Sequence, residues 1–323
     1  MHKVKAWLAT TPFGEWELEK ASEDASFRRY FRLDCGPDTC IVMDASLEKA
    51  SLKPFLDVTD RLLKSGVKVP KIYLEDREAG FLVLEDFGSQ LLLDVLDETN
   101  FEALYAEAIG EIVKMQGADA EGLPLYDKAF LHFEMALMQT WFLEKYLGWE
   151  LSSGEKAMLD KVLDAISETV LAQPQGRFVH RDFHSRNIMV TPAGEAGIID
   201  YQDAMSGAVT YDLVSLLKDL YIRFEPEKIN ALALQFRDRA GIDADDATFL
   251  KWFDFMGLQR HIKVLGVFSR LWLRDGKPAY LGDLPLTLRY TVEAAERYEE
   301  TKPLAELLKQ VKLPELFPNE RRT

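Results

Sequence analysis

Short alternating stretches dominate the chain up to about residue 88, and helical periodicity dominates beyond it. Trp16 to Ala21, Phe27 to Asp34, Thr39 to Ala45, Lys71 to Asp76 and Phe81 to Asp86 read as strands, with one helical stretch from about Ser51 to Lys64. After Gly88, apolar positions recur at helical spacing through Phe101 to Met115, Phe130 to Leu147, Glu155 to Leu171, Thr210 to Phe224, Glu227 to Ala240, Ala247 to Leu273 and Leu284 to Glu300. A short apolar hairpin near residues 188–199 interrupts the helices. The pattern predicts an α+β protein of two lobes: a small antiparallel-sheet lobe over residues 1–87 and a large, mainly helical lobe over 88–323. Glu85-Asp86-Phe87-Gly88 marks the change of texture.

Length and charge narrow the function classes. A chain of 323 residues exceeds the usual single-domain size. A net charge of −15 repels a phosphate backbone, so nucleic acid is not an expected partner. No apolar run approaches the ~18 residues of a membrane helix, and the opening Met1-His2-Lys3-Val4-Lys5-Ala6-Trp7-Leu8 lacks the apolar core of a secretory signal. A cytoplasmic protein with no obligatory protein partner is expected. Cys35 and Cys40 flank a turn at Gly36-Pro37-Asp38-Thr39, where they are expected to face each other as reduced thiols.

The chemistry is concentrated in Val179-His180-Arg181-Asp182-Phe183-His184-Ser185-Arg186-Asn187, followed by Gly197-Ile198-Ile199-Asp200-Tyr201. His-x-Asp, an Asn five residues after that Asp, and a hairpin ending in Asp reproduce the layout of the protein-kinase catalytic loop and its metal-binding carboxylate. With Ala193-Gly194 as a two-residue loop, Asn187 falls opposite Asp200, Cβ atoms about 4.5 to 5.5 Å apart. Their oxygens suit Mg²⁺, which keeps several waters and takes few protein ligands. Asp182 is then free to accept the proton of an acceptor hydroxyl, and His184 is a candidate contact for the transferring phosphate.

These residues resemble the aminoglycoside phosphotransferase and choline kinase superfamily, most firmly over His180 to Asn187, Ile199 to Ala204 and Tyr211-Asp212-Leu213. More narrowly, Asp24 to Arg32, Ile41 to Ala45 and Trp252 to Gly266 resemble the anomeric kinases of peptidoglycan recycling, which phosphorylate the C1 hydroxyl of N-acetylmuramate and N-acetylglucosamine. The resemblance implies a two-lobed protein-kinase-like fold, ATP with Mg²⁺, and a small amino-sugar acceptor. It places Glu85 to Phe87 where such kinases read adenine through backbone groups, makes Asp203 a second metal or substrate contact, and gives Asp212 the task of holding the catalytic loop. Arg260 and Lys263, charged within an apolar helix, are candidates for a substrate carboxylate.

Departures from the kinase pattern are as informative. The loop Ser22 to Ser26 has no Gly, the strand Lys position falls at about Met43, and its helix Glu partner position falls near Phe55. Both members of that ion pair are missing together, which is coherent because either alone would be a buried, unpaired charge. Arg28 and Arg32, which alternation sends to one sheet face with Arg29 on the other, are the candidates to supply the lost positive charge; the alternative is a solvated strand face. Two other readings stay open: an aminoglycoside or other small-molecule phosphotransferase, and a nucleotide-binding pseudokinase.

Overall fold

The computed structural model describes residues 1–23 and 28–314. Of the expected Gly-free loop, Asp24, Ala25 and Ser26 lie outside the described residues, as does Phe27. The chain runs through α1 (His2–Leu8), β1 (Glu17–Glu23), β2 (Arg29–Cys35), β3 (Asp38–Asp44), α2 (Leu52–Lys64), β4 (Ile72–Asp76), β5 (Phe81–Glu85), α3 (Leu92–Val95) and α4 (Phe101–Met115). It continues through α5 (Lys128–Leu137), α6 (Ser153–Ala172), β6 (Arg177–Val179), β7 (Ile188–Val190), β8 (Ala196–Ile198) and β9 (Met205–Gly207). The remaining helices are α7 (Tyr211–Leu217), α8 (Pro226–Arg239), α9 (Asp246–Asp275), α10 (Leu284–Ala295) and α11 (Lys302–Leu308). Two compact units result: Met1–Val95 with Arg186–Ala204, and Leu96–Ser185 with Met205–Thr323.

In the first unit, β1 to β5 form an antiparallel sheet in the order β1-β2-β3-β5-β4. Alternation puts Phe31, Leu33, Cys40, Val42, Phe81 and Val83 on one face, where Val4 and Leu8 of α1 cover them. Each such side chain contributes about 1.5–3 kcal/mol through burial. The expected facing of the two cysteines is corrected by the register: Cys40 pairs with Leu33, and Cys35 with Asp38. Both thiols are free. Burial pushes the Cys40 thiol up to about 11, so it behaves as a small apolar side chain. The helix α2 buries Leu52, Phe55, Val58, Thr59 and Leu62, a stripe at helical spacing.

The second unit is helical around α9, which is 30 residues long and buried at every position from Phe253 to Ile262. At Gly266 a Cβ would lie 2.2 Å from the Leu137 carbonyl carbon, so only glycine allows α9 to cross α5 at that distance. The helix expected over Phe130 to Leu147 starts earlier, because the Asp127 side chain accepts from Phe130 N, and becomes π-helical over Met138–Tyr146. The helices expected over Thr210 to Phe224 and Leu284 to Glu300 end early, at Leu217 and Ala295. Among the described residues, no helix is long and apolar enough to cross a membrane.

Candidate active site

The hairpin of the first unit departs from the expected register by one residue. Ile188 pairs with Ile198, Met189 with Gly197 and Val190 with Ala196, and Thr191 N donates to Glu195 O, so Pro192 to Gly194 form a three-residue loop. Asn187 therefore stands opposite Ile199, whose N–H donates to the Asn187 carbonyl at 3.1 Å. Asp200 nevertheless reaches Asn187, Nδ2 to Oδ2 3.4 Å, because its backbone turns into the left-handed region at φ 64°. Gln202 Nε2 donates to the other carboxylate oxygen at 2.9 Å and lies 3.4 Å from the exposed Asp203 carboxylate.

This donor set fits a hard cation. Turned over, the Asn187 amide presents Oδ1 beside the Asp200 carboxylate, and amide orientation follows whatever the group binds. Among the described residues no three His, Cys, Asp or Glu side chains gather into a metal-holding group. Asn187 and Asp200 would thus hold such an ion with phosphate and water oxygens completing its shell, which is how Mg²⁺ is commonly bound. The residue after Asp200 is fixed by packing: Tyr201 stacks on Phe55 at 5.3 Å, and its hydroxyl lies 2.9 Å from Thr59 Oγ1. An apolar and hydroxyl contact from α2 occupies the place where the missing Glu was expected, and Met43 at the Lys position is fully buried.

Arg32 does not offer the open cation expected of it. Its guanidinium is bound by Asp86, 2.7 and 3.1 Å, and by the Gly88 carbonyl at 2.8 Å, which straps β2 to residues 86–88. Arg29 pairs with Asp44, its register partner. Arg28 is 5% exposed, and its charge is felt by Tyr201. Glu85 and Phe87 also use their side chains structurally: Glu85 accepts from Lys71 N and pairs with Lys68 at 3.4 Å. Phe87 is 4% exposed and packs so close to Gly197 that a Cβ there would fall 2.4 Å from the ring.

In the second unit, the loop that carries Asp182 leaves β6, which pairs with β9, and is clamped by two carboxylates. Asp212 accepts from His180 N at 2.7 Å and Arg181 N at 3.0 Å, as expected. Asp219 accepts from Ser185 N at 2.8 Å, a second clamp that the sequence reading missed. Among the described residues, the non-glycine positions with positive φ are Arg181, at 80°, and Asp200. Such strain persists only where the surroundings impose it, and it collects at functional sites.

Asp182 is ionised. Burial opposes its charge, but Lys263, His184, Arg260 and Arg181 outweigh that effect and hold the carboxyl at about 2. His184, edge-on to Tyr221, is pulled down to about 4 by burial, so at neutral pH it carries no positive charge toward a phosphate. Its expected catalytic role is accordingly not that of a cation.

Beside this loop sits a buried polar cluster centred on Glu134, also missed from sequence. The Glu134 carboxylate takes Arg181 Nη2 at 2.9 Å, Lys263 Nζ at 3.3 Å, Gln259 Nε2 at 3.1 Å and the Tyr126 hydroxyl. Burial would raise its pKa, but Lys263, Tyr126, Arg181 and Gln259 lower it overall. Lys263 also donates to the Tyr211 hydroxyl at 3.2 Å. Lys263 is thus engaged, whereas Arg260, one turn away on α9, makes no ion pair or hydrogen bond among the described residues. The signal that could have exposed Glu134 is its position between Leu131 and Met135 on the buried stripe of α5.

A clamped loop carrying an ionised Asp, followed by an Asn–Asp hairpin whose donors fit a hard cation, is the arrangement expected of a phosphotransferase. The chain matches the model of the phosphotransferase enzyme family over residues 17–247 and belongs to that family. It is 41% identical over 318 residues to the N-acetylmuramate/N-acetylglucosamine kinase of Neisseria meningitidis serogroup B, covering 95% of this chain and 94% of that one. It is also 41% identical to the protein of the same name from Pseudomonas aeruginosa, over 90% of this chain and 88% of its relative. An ADP-bound aminoglycoside phosphotransferase superposes with a TM-score of 0.61 at 14% identity, over 91% of this chain and 98% of that one. That likeness establishes the two-lobed kinase-like fold.

Proposed function

We propose that this protein transfers the γ-phosphoryl group of ATP, with Mg²⁺, to the anomeric hydroxyl of N-acetylmuramate and N-acetylglucosamine. The observation that carries the reading is Asp182: a buried carboxylate kept ionised by neighbouring cations, one residue past a backbone position strained to φ 80°. The names of the relatives supply the acceptor class. Because ATP is the donor, we assign the protein to the cytoplasm, where it works on free sugars without a protein partner.

Magnesium held by Asn187 and Asp200 would neutralise charge on the phosphates. Asp182 accepts a hydrogen bond from the acceptor hydroxyl, orients its oxygen, and takes the proton as the new O–P bond forms and the bond from the γ-phosphorus to the bridging oxygen of the departing ADP breaks. An anomeric hydroxyl is more acidic than other sugar hydroxyls, so a carboxylate of low pKa suffices as a late proton acceptor. Asp212 and Asp219 keep the loop carrying Asp182 in place through its backbone N–H groups. The backbone of Glu85 to Phe87 reads the adenine, and Arg28 supplies positive charge to the phosphates.

Incubation with ATP, Mg²⁺ and each sugar, followed by phosphorus–proton correlation of the product, tests this reading. Coupling of phosphorus to H1 is expected. Coupling only at C6, or activity on kanamycin with none on either sugar, would reassign the acceptor, and absence of phosphoryl transfer to any acceptor would favour a pseudokinase.

A further inference from the structure

The two proposed acceptors differ in one chemically decisive respect: N-acetylmuramate carries a lactyl ether that ends in a carboxylate, and N-acetylglucosamine does not. A site that handles both must therefore meet an anion in one case only.

Around Asp182 the second unit gathers Lys263, Arg181 and Arg260. Glu134 neutralises the first two directly, at 3.3 and 2.9 Å. Gln259 and Lys263, one helical turn apart on α9, both point to that carboxylate. Arg260 lies about 100° around the helix from Gln259 and joins a different group, where its charge is felt by Asp182, His184 and His261. It is 2% exposed, its Nη1 is sealed from solvent without a hydrogen-bond partner, and among the described residues no carboxylate lies within 4.0 Å of its guanidinium. Elsewhere in the same unit a buried cation has a close anion, as Lys218 has Asp254 at 2.7 Å. A buried guanidinium without such a partner is costly unless a ligand completes it.

We propose that Arg260 is the residue that recognises the lactyl carboxylate of N-acetylmuramate and so sets the preference between the two sugars. This inference rests on the amino-sugar reading above. The acceptor hydroxyl is held at Asp182, so the carboxylate of the same small molecule lies within reach of a side chain that shares its charge environment. The planar fork of arginine matches a carboxylate through two parallel N–H donors, a geometry lysine does not reproduce. Lys263, already bound to Glu134 and Tyr211, serves to hold the cluster rather than to bind the ligand.

The test compares kcat/KM for the two sugars in the wild type, Arg260→Lys and Arg260→Gln, and adds the lactyl methyl ester of N-acetylmuramate as a third acceptor. The ratio of N-acetylmuramate to N-acetylglucosamine efficiency should fall by about tenfold or more in both variants. The methyl ester should lose a similar factor on the wild-type enzyme and little more on the variants, and this wild-type arm holds even where a variant folds poorly. An unchanged ratio, with both sugars losing equally, would overturn the inference and move Arg260 to the transferring phosphoryl group. Wild-type enzyme inactive on both sugars would instead remove the amino-sugar reading, and this inference with it.

Discussion

Asn187 and Asp200 meet through their side chains, 3.4 Å apart, although the β7–β8 ladder pairs Asn187 with Ile199. The contact exists because Asp200 adopts φ 64°, which swings its carboxylate back across the strand end. This side-chain contact is therefore a product of local backbone strain, not of strand register.

Asp200→Ala is expected to weaken Mg·ATP binding about tenfold more than Asn187→Ala, since a carboxylate is the stronger ligand for a hard cation. Calorimetric titration with and without Mg²⁺ reads the difference. Equal and unchanged affinities would remove the hairpin from the metal site.

Asp182→Asn should fold and bind nucleotide, yet lose roughly 10² to 10⁴ in kcat, the range for a positioned general base. Near-normal turnover in a purified variant of native thermal stability would be incompatible with its proposed role.

Glu134→Ala leaves Arg181 and Lys263 without their shared anion in a buried setting, and about 3–5 kcal/mol of stability should go with it. Urea unfolding measures the loss. Glu134→Gln, which keeps the shape, should lose less stability but still lower kcat, because Arg181 immediately precedes Asp182.

Gly266→Ala forces a Cβ to within 2.2 Å of the Leu137 backbone, a contact that no rotamer relieves. Overpacking of about 1–3 kcal/mol or more is expected, seen as a lower urea midpoint with unchanged slope.

Stability should fall between pH 7 and 5. Burial lowers His184 to about 4 and His261 to about 3 from an ordinary 6.5, so below 6.5 the unfolded chain takes up protons that the folded chain refuses. Asp212 acts in the opposite sense: burial raises it from 3.8 to about 6, and over that window the folded state binds the extra proton. Two histidines outnumber one carboxylate, so the melting temperature at pH 5 should lie below that at pH 7, and His184→Gln should flatten the difference. A higher melting temperature at pH 5 would contradict these burial effects.

Much of the fold was legible because its signals are local. Alternation located all five strands of the sheet to within a few residues, and periodicity located Phe101–Met115 to the residue. The loop at 180–187 and its contacts with Asp200 and Asp212 were legible too, since Asp182, Asn187, Asp200 and Asp212 stand at fixed spacings. What escaped depends on long-range partners. Arg32 looked like a free cation until Asp86, 54 residues on, was seen to bind it. Glu134 carries no motif that singles it out, and its partners Arg181, Gln259 and Lys263 come from distant segments. The hairpin register slipped by one because loop length, not strand composition, fixes it.

Besides its own ladder, the hairpin at 186–204 leans on the beginning of the chain: Val190 N donates to Gln90 O, Ile198 N to Lys68 O, and Tyr201 stacks on Phe55. Severing the protein after Val95 would take from the ribbon the acceptors of Val190 N and Ile198 N and the ring beneath Tyr201. The chain passes from one unit to the other between Ser185 and Arg186, inside the motif itself, so Asp182 belongs to one folding body while Asn187 and Asp200 belong to the other.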